Sequence, residues 1–153
     1  ECDFGDINDD GWLDIFFANE NYSGSASAPR LNRLLLNDGN GYFKDITGVA
    51  IRADNDDSFD GKFIDLDGDG DLDIFTGNCM ILGSQAPVSY GIYLNNGSGF
   101  FTRLESGILP PNTAGCGFAI VHADFNGDGV EDLYIANRNK PDLLLFGLQP
   151  GDE

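Results

Sequence analysis

The chain has 153 residues, of which 41% are apolar and 12% aromatic, enough for one domain with a core and too apolar for a disordered acidic tail. Its formal charge is −18, from 26 acidic residues against 8 Lys and Arg. A surface of that sign repels nucleic acid and anionic membranes and attracts cations, and no apolar run approaches the roughly 18 residues of a membrane span.

The chain opens on Glu1 without a recognisable signal peptide, so it is expected to be a processed product or a piece of something longer. Cys2 follows in a short strand, where it is expected to be buried or paired with another chain. At Asp6 begins "DINDDGWLDIFFAN", an acidic loop that runs into an apolar strand. "ENYSGSASAP" (Glu20 to Pro29) reads as a loop. "NRLLLNDGNGYFKDIT" (Asn32 to Thr47) reads as two strands joined by a Gly-rich tight turn. The sequence then begins again. "GKFID" leads into "DLDGDGDLDIFTGN" at Asp65, and "YGIYLNNGSGFFTRLE" (Tyr90 to Glu105) repeats the hairpin. After the loop "ILPPNTAGCG", "FAIVHAD" leads into "DFNGDGVEDLYIAN" at Asp124, and "PDLLLF" begins a third hairpin. The three acidic tracts start 59 residues apart each time, and such regular repetition decides the architecture. Phe, Ile, Leu and Tyr dominate the flanks and no helical period with caps is present, so an all-β protein is expected. Its units are 1–50, 51–109 and an incomplete 110–153, with up to four short strands in each.

Every acidic tract obeys D-x-[DN]-x-D-G-x-x-D. Oxygen-bearing side chains alternate at Asp6, Asn8, Asp10 and Asp14, at Asp65, Asp67, Asp69 and Asp73, and at Asp124, Asn126, Asp128 and Asp132. The glycine at position six permits a sharp reversal. Position seven (Trp12, Asp71, Val130) varies freely, as expected if only its backbone carbonyl is used. Four side-chain oxygens, a carbonyl and water supply the ~6–8 hard-oxygen ligands that Ca²⁺ prefers. Magnesium demands a stricter octahedron, and zinc would want His or Cys. An EF-hand shares the opening but needs Glu at position twelve and flanking helices, whereas position twelve here is Phe17, Thr76 or Ile135. Three structural Ca²⁺ ions are therefore expected, and they would reduce the charge from −18 to −12.

An acidic nine-residue loop between two strands, recurring about every sixty residues beside a hairpin such as "NDGNGYFKDIT" or "NNGSGFF", resembles the FG-GAP/VCBS repeat family. These are the calcium-loop blades of integrin α-like β-propellers. The resemblance implies a partial β-propeller of about two and a half to three four-stranded blades, with calcium between the first and second strands of each. It departs from the family in blade number, because two and a half blades cannot close a ring. The chain is thus either a fragment or one that completes itself with partners or other copies of itself, strand addition at open blade edges being one route.

Cys79 follows the strand that leaves the second loop, and Cys116 precedes the strand that enters the third. Both should lie at the end opposite the loops on neighbouring blades, either as a disulfide, if their Cα atoms come within ~7 Å, or as two buried thiols. Asn21-Tyr-Ser and Asn96-Gly-Ser fit the glycosylation triplet. His122 is the only histidine and has no nucleophile motif beside it, so no catalytic residue is assigned and no enzyme is expected. Trp12 should pack near its ion, or offer a ring to a sugar.

The function expected is a calcium-stabilised extracellular or cell-surface scaffold for adhesion or assembly, with calcium and protein partners or further copies as ligands. Two alternatives stay open: a lectin-like module that binds glycans, and the non-catalytic part of a larger secreted enzyme.

Overall fold

The computed structural model describes residues 1–20, 31–52, 57–79, 90–104, 109, 115–138 and 140–147. Asn21 lies outside them. Among the described residues every regular element is a strand, so the fold is all-β. The strands are β1 (Cys2–Gly5), β2 (Asp14–Phe17), β3 (Arg33–Asn37), β4 (Phe43–Asp45), β5 (Ser58–Ile64), β6 (Asp73–Asn78), β7 (Gly91–Asn95), β8 (Phe101–Arg103), β9 (Gly117–Ala123), β10 (Asp132–Asn137) and β11 (Leu143–Leu145). They form three antiparallel sheets, ordered β1-β2-β3-β4, β5-β6-β7-β8 and β9-β10-β11. The acidic tracts join the first two strands of each sheet. Among the described residues no helix is long and apolar enough to cross a membrane.

The hairpin turns close on a side chain. Asn40 and Tyr42 N–H donate to Oδ1 of Asp38 at 2.8 and 3.1 Å. Ser98 N–H donates to Oδ1 of Asn96 at 3.0 Å in the equivalent turn of the second sheet. A short acceptor that can reach an amide two residues on is what such turns require. Asn96 is exposed there.

The second sheet presents one face to the first sheet and the other to the third. Ile7, Phe16 and Leu34 of the first sheet pack with Phe63, Ile74 and Tyr93 of the second. Ile64, Phe75 and Ile92, on the opposite face of the second sheet, pack with Ile120, Leu133 and Ile135 of the third. The middle sheet is covered on both sides, which is why every residue of β6 is buried while β2 alternates buried and half-buried. After β4 the chain returns between the first two sheets, and Ala50 C=O accepts from Phe101 N–H of β8 at 2.7 Å.

Aspartates grip the neighbouring sheet at two points. Phe63 N–H donates to Asp3 on β1, and Ile120 N–H donates to Asp60 on β5, both at 2.8 Å. These amides point out of their own sheet's pairing, and a buried donor left without an acceptor would cost roughly 1–3 kcal/mol.

Cys79 and Cys116 form a disulfide, with Cα atoms 4.4 Å apart, that ties the end of β6 to the start of β9. It sits at the ends of those strands away from the acidic loops. Of the two expectations for Cys2, burial fails: the residue is exposed, and it makes no disulfide within the chain. It stands four residues before Asp6 as Ile120 stands four before Asp124, but Ile120 is buried by the preceding sheet and Cys2 has none among the described residues.

Candidate metal centres

Asp14, Asp73 and Asp132, at position nine of their loops, are at most 1% exposed. Each accepts two backbone amides. Position two donates to Oδ2, from Ile7 at 3.2 Å, Leu66 at 2.9 Å and Phe125 at 2.9 Å. The third strand or its continuation donates to Oδ1, from Asn37 at 2.7 Å, Asn95 at 2.8 Å and Gly147 at 2.9 Å. One carboxylate thereby pins the loop to two strands. This structural duty could not be read from the spacing, which marks the residue only as an oxygen donor.

At position one, the two carboxylate oxygens accept amides from the far side of the turn. Gly11, Gly70 and Gly129 N–H donate to Oδ2 of Asp6, Asp65 and Asp124 at 2.8, 3.0 and 2.9 Å. At position five, Asp10, Asp69 and Asp128 each accept the amide of position seven through Oδ1, at 2.9, 2.9 and 2.8 Å. Position three accepts the amide of position five in every loop, through Asn8, Asp67 and Asn126. The carbonyl of position seven belongs to Trp12, Asp71 or Val130. The three loops thus share one hydrogen-bonding scheme, and all the acidic side chains singled out by spacing take part in it.

The reversal depends on backbone shape. Position six has φ of 87, 95 and 92° at Gly11, Gly70 and Gly129. Position four also has positive φ, at Asp9 (58°), Gly68 (78°) and Gly127 (81°). Asp9 is the only non-glycine in this region among the described residues, and Asp is one of the few side chains that tolerates it. Gly at two of three position-four sites was the overlooked signal in the sequence.

Carboxylate oxygens of Asp65, Asp67 and Asp73 come within 4.8 Å of one another, a group able to hold a metal ion. The first and third loops carry Asn8 and Asn126 at position three, so no equivalent trio of carboxylates forms there among the described residues. Burial pushes Asp73 up to about 6, against its two amide donors, and the charges of Asp67 and Asp69 add to the rise. Burial likewise raises Asp14, with Asp10 and Asp6 contributing, and raises Asp67 beside Asp69 and Asp65. A buried anion surrounded by anions favours either a proton or a cation. The oxygen-only donor set suits a hard cation rather than zinc.

The second loop has further support. Asn95 Nδ2–H bonds reach Leu72 C=O in its own loop at 3.0 Å and Ile7 C=O of the first loop at 2.8 Å. Asn37 does the first of these jobs for the first loop, through Leu13 C=O at 3.0 Å. Gly147 occupies the equivalent place in the third, and has no side chain to do so. Trp12, 51% exposed, lies against Gly39, where an added Cβ would come within 2.6 Å of the indole nitrogen. His122 Nδ1 is 3.0 Å from Glu131 Oε2 at a part-exposed position, away from any nucleophile motif.

No curated protein matches the chain. A family model described as FG-GAP-like repeat matches residues 6–76, from the first acidic loop into β6. Residues 6–76 are thus similar to an FG-GAP-like repeat, and the third acidic loop, outside that match, is built like the first two.

Proposed function

We propose that the chain is a calcium-stabilised, non-enzymatic extracellular scaffold, a partial β-propeller whose three stacked sheets are blades, each with one structural Ca²⁺ in its acidic loop. The observation that carries this reading is the buried position-nine aspartate, tied to two strands at the same place in each loop and, in the second, gathered with Asp65 and Asp67 within 4.8 Å. The expected ligands are Asp6, Asn8, Asp10, Asp14 and the Trp12 carbonyl in the first site. Asp65, Asp67, Asp69, Asp73 and the Asp71 carbonyl serve the second, and Asp124, Asn126, Asp128, Asp132 and the Val130 carbonyl the third. A bound ion offsets the anionic charge and converts its binding energy into folding energy.

An extracellular setting agrees with the Cys79–Cys116 disulfide, since such bonds persist in oxidising compartments, and with loops suited to abundant calcium. In a scaffold of this kind the partners are other proteins or further copies of the chain.

Thermal melting with and without chelator tests the calcium reading. Each site contributes about 2.7 kcal/mol when calcium stands at about a hundred times its Kd. A chain of this length shifts by roughly 2–4 °C per kcal/mol, so three sites predict a fall of more than about 10 °C in chelator. Equal melting temperatures would reject the reading. A glycan-binding role has one observation in its favour, the half-exposed ring of Trp12, and retention on a glycan array that Trp12→Ala abolishes would establish it.

A further inference from the structure

Three Asn-Gly dipeptides stand in turns: Asn40-Gly41 and Asn96-Gly97 at the hairpin tips, and Asn126-Gly127 in the third acidic loop. An Asn followed by Gly is open to loss of its side-chain amide, because no Cβ on the glycine hinders approach of the next backbone nitrogen to the Asn Cγ. The reaction needs a free backbone amide to attack, a polarised side-chain carbonyl to receive it, and a side-chain NH2 free to leave. The three dipeptides meet these needs to different degrees.

In the third loop every participant is held. Gly127 N–H donates to Oδ1 of Asp124 at 2.6 Å, so the attacking nitrogen is committed to a charged acceptor. Asn126 Nδ2 donates to Oδ2 of Asp128 at 2.7 Å, and Asn126 Oδ1 accepts from Asp128 N–H at 2.8 Å. At the first hairpin tip the leaving nitrogen is held, since Asn40 Nδ2 donates to Asp38 C=O at 3.0 Å, and among the described residues nothing donates to Asn40 Oδ1.

Asn96 is arranged the other way round. Its Oδ1 accepts two backbone amides, from Ser98 at 3.0 Å and Phe100 at 3.4 Å. Among the described residues neither its Nδ2 nor the Gly97 N–H has an acceptor. Two N–H donors aimed at a carbonyl oxygen stabilise the charge that grows there when its carbon is attacked. Asn96 is exposed, so water reaches it. The turn is held in place by its neighbour, because Asn95 Oδ1 accepts from Asn96 N–H at 2.8 Å and from Gly99 N–H at 3.0 Å.

We infer that Asn96 is a site of spontaneous modification, at which the folded hairpin converts an asparagine into an aspartyl or isoaspartyl residue. The Gly97 nitrogen bonds to Cγ of Asn96 and gives up its proton to water, the Cγ–Nδ2 bond breaks, and ammonia leaves. One water then opens the cyclic imide at either of its carbonyls. Water enters and ammonia departs, with no oxidant or reductant. An aspartate at position 96 fits the turn, since Asp38 stands at the equivalent place of the first hairpin and accepts Asn40 and Tyr42 N–H through Oδ1. The isoaspartyl product lengthens the backbone by one methylene and loses that match. Either product adds a negative charge next to Gly97, against which the Asp71 carboxylate lies.

This inference rests neither on calcium nor on the scaffold reading. The test is peptide mapping by mass spectrometry of the full chain, kept at one pH and temperature, folded in calcium or unfolded in urea. Conversion is read separately at Asn40, Asn96 and Asn126. In urea the three sites should react at similar rates, because they share the dipeptide and no fold distinguishes them. Folding should slow Asn126 at least about tenfold, since the Gly127 amide must first leave a charged acceptor. Folding should not slow Asn96, which should become the fastest of the three. An Asn96 slowed by folding as much as Asn126, or overtaken by Asn40 in the folded chain, overturns the inference. So do fragment ions that place the conversion on Asn95 instead. The comparison needs no substitution, so its outcome does not depend on whether a variant folds.

Discussion

The backbone N–H of Asn95 donates to Oδ1 of Asp73 at 2.8 Å, so the residue that closes the second acidic loop also holds the first residue beyond the apolar part of β7. Asp73 thus serves the sheet with or without a cation, whereas Asp69, exposed and accepting only within the loop, serves the loop alone. Asp73→Ala should lose roughly 3 kcal/mol of stability even in chelator, because two buried amides lose their acceptor. Asp69→Ala should be nearly silent in chelator, within about 0.5 kcal/mol, and costly only in calcium. Denaturant melts of both variants in each condition check this, and equal losses in chelator would show that Asp69 has a structural duty too.

The carboxyl of Asp73 should titrate near 6 in chelator, which carbon-13 NMR can follow directly. Its folded value lies above the ordinary 3.8, so the folded state holds the proton more tightly than the unfolded chain does. Its contribution to stability is then fully present at low pH and is lost as pH rises through about 4 to 6. Calcium should reverse this by favouring the anion, moving the titration well below its chelator value. A carboxyl that titrates identically with and without calcium contradicts a role for Asp73 in holding the ion.

The disulfide closes a loop of 37 residues between the second and third sheets. Chain entropy alone makes such a link worth roughly 4 kcal/mol. Cys79→Ser with Cys116→Ser should therefore melt several degrees lower, with a greater loss of amide protection in β9 and β10 than in β1 and β2. In the native protein a thiol reagent should label Cys2 and neither of the other two, as mass spectrometry under non-reducing conditions can read.

Gly77 and Gly117 bring β6 and β9 together beside that disulfide. A Cβ at Gly77 would lie 2.8 Å from the Gly117 carbonyl oxygen, and backbone cannot step aside as a flexible side chain can. Gly77→Ala should cost about 1–3 kcal/mol. Its melting curve, compared with that of a surface alanine variant, measures the effect.

Much of this arrangement is legible in the sequence because its determinants are local. The 59-residue interval between Asp6, Asp65 and Asp124 marks the repeat, and "NDGNG" and "NNGSG" mark turns that Asp38 and Asn96 close. Features that depend on which face meets which sheet are hidden. Asp3 and Asp60 read as two more acids among 26, yet they hold amides sixty residues away. Asn95 reads as a turn residue, yet it joins the first and second loops through their carbonyls. Cys2 misleads for the same reason, since burial of its position depends on a preceding sheet rather than on strand pattern.

Calcium in the loops is the central claim of the proposed function, and anomalous diffraction from crystals grown in calcium tests it most directly. The account predicts one ion in each loop, ligated by side chains at positions one, three, five and nine and by the carbonyl at position seven. Loops without anomalous density, their carboxylates still arranged as described, would contradict it.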